Sequence, residues 1–336
     1  MKFLFLTGLF TAVLLLPSCG GSGHGEVVVY TSLDEVFSGP ILDEFKKNTG
    51  IDVKILSDTE TTKTVGLATR LIEEKEHPMA DVFWNNEISW TIVLKQKGLL
   101  APYTSASAAD IPDRFKDPEG CWTGFAARAR VILYNTNLVK AETAPESVYD
   151  LLKPEFRGKV AIAQPIFGTT YTHAAALFAC LGEQDAKRFF IKLKENDCRL
   201  VSGNFMAAKM TADGEAFACL TDTDDANEML TAGKPVKMVF PDKNGMGALI
   251  LPNTIALIKN GPNPENGKKL IDFLLSAGTE QKLARLKSAQ MPVRKNIQPY
   301  SSIFSLENIR AMVVSYEKIA AQLEPARDFI YSDFLK

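Results

Sequence analysis

The chain has little net charge and few histidines. It has 38 Lys and Arg residues and 40 Asp and Glu residues, which gives a formal net charge of −2. This balance excludes proteins that bind nucleic acid through an overall basic charge. Only three histidines occur, and no repeats or low-complexity segments appear beyond a short Gly/Ser stretch at residues 20–25. The length of 336 residues fits one large domain or two ordinary ones.

The five cysteines do not form a recognisable metal-binding pattern. No CxxC spacing occurs, and no histidine lies in metal-site register with a cysteine. Cys180 and Cys219 lie in apolar runs and are predicted to be buried small side chains. A disulfide among Cys121, Cys180, Cys198 and Cys219 is compatible with an exported protein, and its pairing stays open.

Long hydrophobic runs are also scarce, and the one at the amino terminus is too short to span a membrane comfortably. Lys2 precedes an apolar run from Phe3 to Leu16 that ends at Pro17, which predicts a secretory signal peptide. The sequence Leu16-Pro17-Ser18-Cys19-Gly20 resembles the lipobox of bacterial lipoproteins. That resemblance implies a signal peptide over residues 1–18 and a lipidated Cys19 followed by a flexible tether, residues 19–25.

Strand and helix patterns alternate along the first part of the chain. Val27–Tyr30 and Ile51–Ile55 read as strands, and the helix between them ends at Gly50. A helix over Thr61–Glu76 then precedes a short buried strand at Ala80–Phe83. This alternation predicts an α/β fold with a mostly parallel sheet and helices on both faces.

Two long apolar strands, Gly124–Asn135 and Ala248–Lys259, are predicted to cross between two lobes. The segment Gln164–Thr170 is predicted to be a loop, and Ser305–Leu323 a single helix. Two crossings with strands on either side predict two lobes that close around one cleft by a hinge motion.

Four landmarks together resemble the periplasmic ferric-iron-binding proteins, which are solute receptors of ABC importers. They are the P-x-A-D-V-F-x-x-x-E stretch Pro78–Glu87, the G-L-L-A-P stretch Gly98–Pro102, the strand with Arg128 and Arg130, and Gly158-Lys159-Val160. The resemblance implies a type II periplasmic-binding-protein fold. Its first lobe would span residues 26–128 and 256–300, and its second lobe residues 129–255 and 301–336.

The same resemblance implies a function and a location. The chain would be a monomeric, non-enzymatic receptor in the periplasm or at the cell surface, anchored through Cys19, that delivers a solute to a permease and its ATPase. Ferric-binding relatives hold Fe(III) with a tyrosine pair, often helped by a histidine and a glutamate, and with a synergistic anion.

This sequence departs from that iron-binding pattern at the residues that define it. Asp34 stands at the histidine position, Asn86 at the glutamate position with Glu87 beside it, and Asp224-Asp225 at the tyrosine pair. Carboxylates also bind hard cations, so a metal held by Asp224, Asp225 and Glu87 remains an alternative.

The anion half of the pattern is better preserved. Gly168-Thr169-Thr170 lies between a strand and a helix, where backbone N–H groups and hydroxyls can bind an oxyanion, although a simple helix cap is an equal alternative. Asn204 and Arg128 match the family positions that hold the anion, and Arg130 competes with Arg128 for that role.

Asp222, Asp224 and Asp225 follow a buried strand, where one or two of them would suit an ordinary turn or helix cap. Together with an anion pocket opposite, they predict a bipolar site. The sequence is similar to relatives of ferric-binding proteins that lack the tyrosine pair, and this resemblance implies a phosphorylated sugar or a phosphonate as the alternative to Fe(III). Trp84 and Phe167 are candidates to flank such a ligand.

An enzyme is the alternative from a different class. Thiaminase-like enzymes share this architecture and use a cysteine in the cleft, for which Cys121 is the candidate. That role requires a lowered thiol pKa, and none of His24, His77 and His173 is positioned by the sequence to provide it.

Overall fold

A computed structural model describes residues 25–58 and 64–336. Apolar and β-branched runs, which favour extended backbone, form ten strands within these ranges. In chain order the strands are β1 Glu26–Thr31, β2 Asp52–Ser57, β3 Val82–Asn85, β4 Leu100–Ala101, β5 Thr123–Asn135, β6 Val160–Ala163, β7 Arg199–Val201, β8 Ala218–Asp222, β9 Val236–Val239 and β10 Ile250–Ile258.

Eleven α-helices lie in the same part of the chain. They are α1 Glu35–Thr49, α2 Val65–Glu73, α3 Ser89–Gln96, α4 Gly168–Leu181, α5 Glu183–Glu195, α6 Asn204–Ala212, α7 Thr223–Thr231, α8 Pro264–Leu274, α9 Ala277–Arg285, α10 Tyr316–Ala321 and α11 Leu323–Phe329. Several short 3-10 turns connect them. None of the described helices is both long enough and apolar enough to cross a bilayer.

The strands form two parallel half-sheets that two antiparallel strands join. The order is β2-β1-β3-β10-β5-β8-β6-β7, with β4 added to β10 and β9 added to β5. Strands β1, β2 and β3 pair in parallel in the first lobe, and β6, β7 and β8 do so in the second. The predicted α/β architecture, with two lobes and two crossover strands, is confirmed.

Strand β5 links the lobes because its two halves pair with different partners. Its residues up to Ala129 pair with β10, and those from Arg130 onward pair with β8. All 13 of its residues are buried. Arg128 and Arg130 are two residues apart and therefore lie on one face of the strand, at the point of passage between the lobes.

A bulge interrupts β5 and β10 within the first lobe. Ala126 has a φ of 44°, and the register shifts between Pro252 and Asn253. The buried Glu280 carboxylate accepts hydrogen bonds from the Ala126 and Val293 N–H groups, both at 2.8 Å. A bulge kinks the strand, so α9 fixes the angle at which β5 leaves the first lobe.

Two local predictions are wrong. The predicted loop over Gln164–Thr170 is shorter, because α4 begins at Gly168. The predicted helix over Ser305–Leu323 is mostly extended, with only a short turn at Leu306–Asn308 and α10 near its end. In this segment Ala311 bridges to Ala248, so pairing with the chain before β10 overrides the helical pattern.

Other predictions are not tested by the fold. The signal peptide and the Cys19 anchor lie outside the described residues, as does the start of the helix predicted over Thr61–Glu76. The proposed lobe boundaries remain a prediction.

Candidate functional site

A cavity of about 370 Å³ lies between the lobes, next to the point where β5 crosses from one lobe to the other. The first lobe contributes the start of α1 and the end of β3, and the second contributes the starts of α4, α6 and α7. The lining residues predicted from the sequence are Asp34, Asn86, Arg128, Phe167, Gly168, Thr169, Thr170, Asn204, Asp222, Asp224 and Asp225.

The end of β3 is held in place by a hydrogen-bond network. Ser32 Oγ donates to Asn85 Oδ1 at 2.8 Å and to Asn86 Oδ1 at 3.0 Å. The Asn86 N–H donates back to Ser32 Oγ at 2.9 Å. These bonds fix the turn after β3 and hold Asn86 in the cavity wall.

Glu87, which the sequence placed at the ligand, is not among the described residues that line the cavity. Its side chain is fully buried, and one carboxylate oxygen accepts from the Ser89 N–H at 2.7 Å and from Thr172 Oγ1 at 2.8 Å. The other accepts from the Trp90 N–H at 3.0 Å and from Asn85 Nδ2 at 3.1 Å. Glu87 therefore caps α3 and joins the first lobe to α4.

Asp222 is the centre of a buried ion-pair cluster. Arg130 stands directly opposite it in the β5–β8 ladder, and Arg130 Nη1 lies 2.7 Å from Asp222 Oδ1. Asp222 Oδ2 lies 3.2 Å from Arg128 Nη1 and accepts from Thr169 Oγ1 at 2.5 Å. Burial opposes ionisation, but Arg130 and Arg128 lower the pKa of Asp222 below its ordinary value.

Arg128 connects this cluster to both lobes. Its Nη1 also lies 3.1 Å from Asp224 Oδ2, and its Nη2 donates to the Asn86 carbonyl oxygen at 2.6 Å. Although burial disfavours the charged form, the carboxylates of Asp224 and Asp222 raise the pKa of Arg128. Of the two competing arginines, Arg128 lines the cavity and Arg130 lies fully buried behind it.

The predicted separation of an anion pocket from the acidic cluster is wrong. Asn204 Nδ2 donates to Thr169 Oγ1 at 2.9 Å, and Asn204 Oδ1 accepts from Arg130 at 3.0 Å and from Thr170 at 2.8 Å. The anion-side residues therefore touch Asp222 rather than facing it across the cavity. Arg128 and Arg130 had no visible link to Asp222 in the sequence, because more than 90 positions separate them.

Four helices begin at the cavity wall. They are α1, α4, α6 and α7, and within the described chain none has a side-chain hydrogen bond from its N-cap residue. The first N–H groups of a helix carry partial positive charge and lack intrahelical acceptors. Gly168 has a φ of 52°, a conformation that favours glycine.

The acidic residues also define a possible cation site. Oxygen atoms of Asp222, Asp224 and Asp225 all lie within 4.8 Å of one another, and Glu87 does not belong to this group. Two of the three carboxylates already contact a guanidinium. None of the described residues that line the cavity is a tyrosine.

Some lining residues were not found from the sequence. Most of them lie close in the chain to residues that were predicted, so the predicted helix starts could have indicated them. Near Asp34 these are Val36 and Phe37, and around Asn204 they are Ser202, Gly203, Phe205 and Met206. Glu228 lies one helical turn after Asp224 and Asp225. No feature of the sequence indicated that Lys287 lines the cavity. Trp84, predicted to flank a ligand, is instead fully buried against Phe125.

Among the described residues, no histidine or cysteine lines the cavity. His173 is buried in α4, where burial and the charge of Arg130 lower its pKa to about 3. Cys121 is not among the described lining residues, and burial together with Asp117 raises its pKa. In residues 25–58 and 64–336 the four cysteines are free thiols.

Comparison with known proteins identifies the family. The model of the family described as "Bacterial extracellular solute-binding protein" matches residues 77–333. The chain belongs to this family. The predicted resemblance to ferric-iron-binding solute receptors is thereby confirmed at the level of fold and family.

Among curated relatives, this solute-binding protein is 27% identical to iron uptake protein A1 of Synechocystis sp., over 96% of this chain and 95% of that one. It is 28% identical to a putative 2-aminoethylphosphonate-binding periplasmic protein of Salmonella typhimurium, over 93% of each chain. The structure of apo ferric ion-binding protein A of Pasteurella haemolytica superimposes with a TM-score of 0.81 and 26% identity, covering 91% of this chain and 97% of that one.

Proposed function

We propose that this protein captures a small phosphonate or phosphate ester that also carries an amine, and delivers it to an ABC permease and its ATPase. The observation that carries the proposal is a cavity in which helix starts and buried arginines meet several acidic residues, without a tyrosine among the described lining residues.

The oxyanion end is assigned to the starts of α4 and α6. These two helix starts are adjacent, because Thr170 Oγ1 donates to Asn204 Oδ1 at 2.8 Å. Their lining residues are uncharged, so their N–H groups and hydroxyls suit an oxyanion. Directly behind them, Nε and Nη2 of Arg130 are buried donors without a hydrogen-bond partner in the described structure.

The amine end is assigned to the acidic part of the wall. By formal charge, the lining carries five carboxylates, two cations (Arg128 and Lys287) and the buried Arg130 behind them, so acidic groups are in surplus. The five carboxylates are those of Asp34, Asp222, Asp224, Asp225 and Glu228. A ligand that was only anionic would meet repulsion from this surplus. If the ligand also carries a cationic amine next to the oxyanion, the acidic side chains attract that amine.

Fe(III) with a synergistic anion is the second candidate. It is favoured by the closeness of the Asp222, Asp224 and Asp225 oxygens and by the names of several relatives. The argument against it is Arg128, which already contacts two of those carboxylates. Two unit charges of the same sign about 4 Å apart repel by roughly 4 kcal/mol at an effective dielectric of 20, and a trivalent ion would meet more.

The alternative of a thiaminase-like enzyme receives no support from the site. A nucleophilic thiol needs a lowered pKa, whereas the pKa of Cys121 is raised. The family consists of solute-binding proteins, and a receptor role without catalysis is part of this proposal.

The test is calorimetric titration of the purified chain, prepared without chelators, with 2-aminoethylphosphonate and with ethylphosphonate as the control that lacks the amine. We expect the amine to strengthen binding about tenfold or more, as for a charge-assisted hydrogen bond. Asp225→Asn should remove most of that difference, because it weakens the attraction of the amine and relieves the repulsion of ethylphosphonate. Tight binding of ferric citrate with no response to either phosphonate would contradict the proposal and support the iron site.

We also propose that Cys19 carries the lipid anchor. Expressed in a bacterium that processes lipoproteins, the wild-type chain should sediment with membranes, and the Cys19→Ser variant should move to the soluble fraction. Cys180→Ser is the matched control and should not change the distribution. Equal sedimentation of wild type and Cys19→Ser would refute the anchor.

A further inference from the structure

Apolar side chains share the cavity wall with the polar groups. Val36 and Phe37 lie in the first turn of α1, and Phe205 and Met206 in the first turn of α6, where Asn204 precedes them. Val36 is 70% exposed, Phe205 40% and Met206 41%. Exposed apolar side chains that converge from two lobes on one concave site are characteristic of ligand pockets.

Contact between the lobes does not cover these side chains. The lobes already touch through Arg128 and the Asn86 carbonyl oxygen at 2.6 Å, and through Thr172 and Glu87 at 2.8 Å. Phe205 and Met206 nevertheless remain exposed in the same structure. Closure of the lobes to this extent therefore leaves these side chains open to the cavity.

The cavity is larger than an aminophosphonate head group needs. At about 30 Å³ per non-hydrogen atom, the volume share of a molecule in liquid water, a seven-atom aminoethylphosphonate fills about 200 Å³. The cavity of about 370 Å³ then has room for roughly six further non-hydrogen atoms, the size of one ring.

We propose that Phe37, Phe205 and Met206 form an apolar subsite for a ring, so that the ligand is a phosphate monoester or phosphonate of a ring compound. This inference rests on the proposed function, because the oxyanion at the starts of α4 and α6 directs the ring toward the subsite. The rings of Phe37 and Phe205 supply aromatic contact, and the flexible thioether of Met206 adapts to the ring edge.

The test compares phenyl phosphate with methyl phosphate, which share the oxyanion and differ in the ring. Calorimetric titration of the full chain should give a dissociation constant about tenfold or more lower for phenyl phosphate, because burying a ring removes apolar surface from water. In the Phe205→Ala/Met206→Ala variant this ratio should fall to about twofold. Ile191→Ala, which truncates an exposed apolar side chain on α5, should leave the ratio as in the wild type.

The remaining outcomes separate the two proposals. If the wild type binds both probes equally, the subsite is refuted and the oxyanion site stands. If the double variant loses affinity for both probes to the same extent, the side chains stabilise lobe closure rather than contact a ring, and the subsite is also refuted. If neither probe binds although 2-aminoethylphosphonate does, the subsite is refuted and the proposed function stands. If 2-aminoethylphosphonate does not bind either, the proposed function fails and the subsite fails with it.

Discussion

Replacing Arg130 with methionine should lower the free energy of unfolding by about 3–5 kcal/mol, the usual cost of removing one partner from a buried ion pair. Arg130 has no exposed surface, and its partner Asp222 is 1% exposed. Methionine preserves much of the arginine's apolar volume, so the loss comes from the charge left on Asp222 rather than from a void. Urea unfolding followed by circular dichroism measures the change.

The pH dependence of the Arg130→Met variant provides an independent check. In the wild type the ion pair lowers the pKa of Asp222 below 3.8, so its contribution to stability is present above that pH and is lost as the pH falls through the lowered value. In the variant, Asp222 keeps Arg128 as its cationic partner but loses Arg130, so protonation of Asp222 removes a less well compensated buried charge. The stability difference between wild type and variant should therefore narrow below about pH 4.

A matched control separates this effect from a general loss of arginine. Arg157 pairs with Asp197 on the surface at 2.8 Å, with both side chains more than half exposed. Arg157→Met should change the unfolding free energy by less than about 1 kcal/mol, as for other exposed pairs. Equal effects of Arg157→Met and Arg130→Met would show that the buried cluster has no special role.

Replacing Glu280 with alanine should be comparably destabilising, by about 3–5 kcal/mol. Glu280 pairs with Arg294 at 2.7 Å, and both side chains are fully buried. The substitution leaves the Arg294 guanidinium short of a carboxylate and also removes the acceptor of the Ala126 and Val293 N–H groups. Because these groups hold the bulge of β5, the ligand affinity should fall together with the stability.

Thermal unfolding and titration of Glu280→Ala measure the two losses separately. The control is Glu265→Ala, which truncates an exposed glutamate paired with Lys268 on α8 and should change stability by less than about 1 kcal/mol. A stable Glu280→Ala variant with unchanged affinity would mean that the bulge holds its shape without the carboxylate.

Local patterns in the sequence were sufficient to predict the crossover strand and the alternation of strands and helices. Gly124–Asn135 was predicted as a strand, and β5 spans Thr123–Asn135, because an uninterrupted apolar run of that length has few other solutions in an α/β fold. The start of α4 at Gly168 was missed because glycine and two threonines also suit a loop. The positive φ of Gly168 becomes visible only in the structure.

The site was predictable as a set of positions but not as a set of pairings. Asp222, Asp224 and Asp225 follow one strand, so their closeness follows from the chain. That Arg130 faces Asp222 depends on the register of β5 with β8, which local patterns do not specify. Glu87 was assigned to the ligand because it follows a strand end, whereas the start of α3 and Thr172 already occupy its carboxylate.

The place of β10 in the sheet determines the order in which the protein can fold. Strands β3 and β5 do not pair with each other, since β10 lies between them and comes from residues near 250. A nascent chain that has not yet reached Ile258 holds two half-sheets with open edges. Such edges are ready to pair with other chains, and closing them requires contacts between distant parts of the sequence, which form slowly. The two half-sheets are therefore joined only late in synthesis, after β10 has been made. A chain truncated before β10 is expected to aggregate rather than to fold.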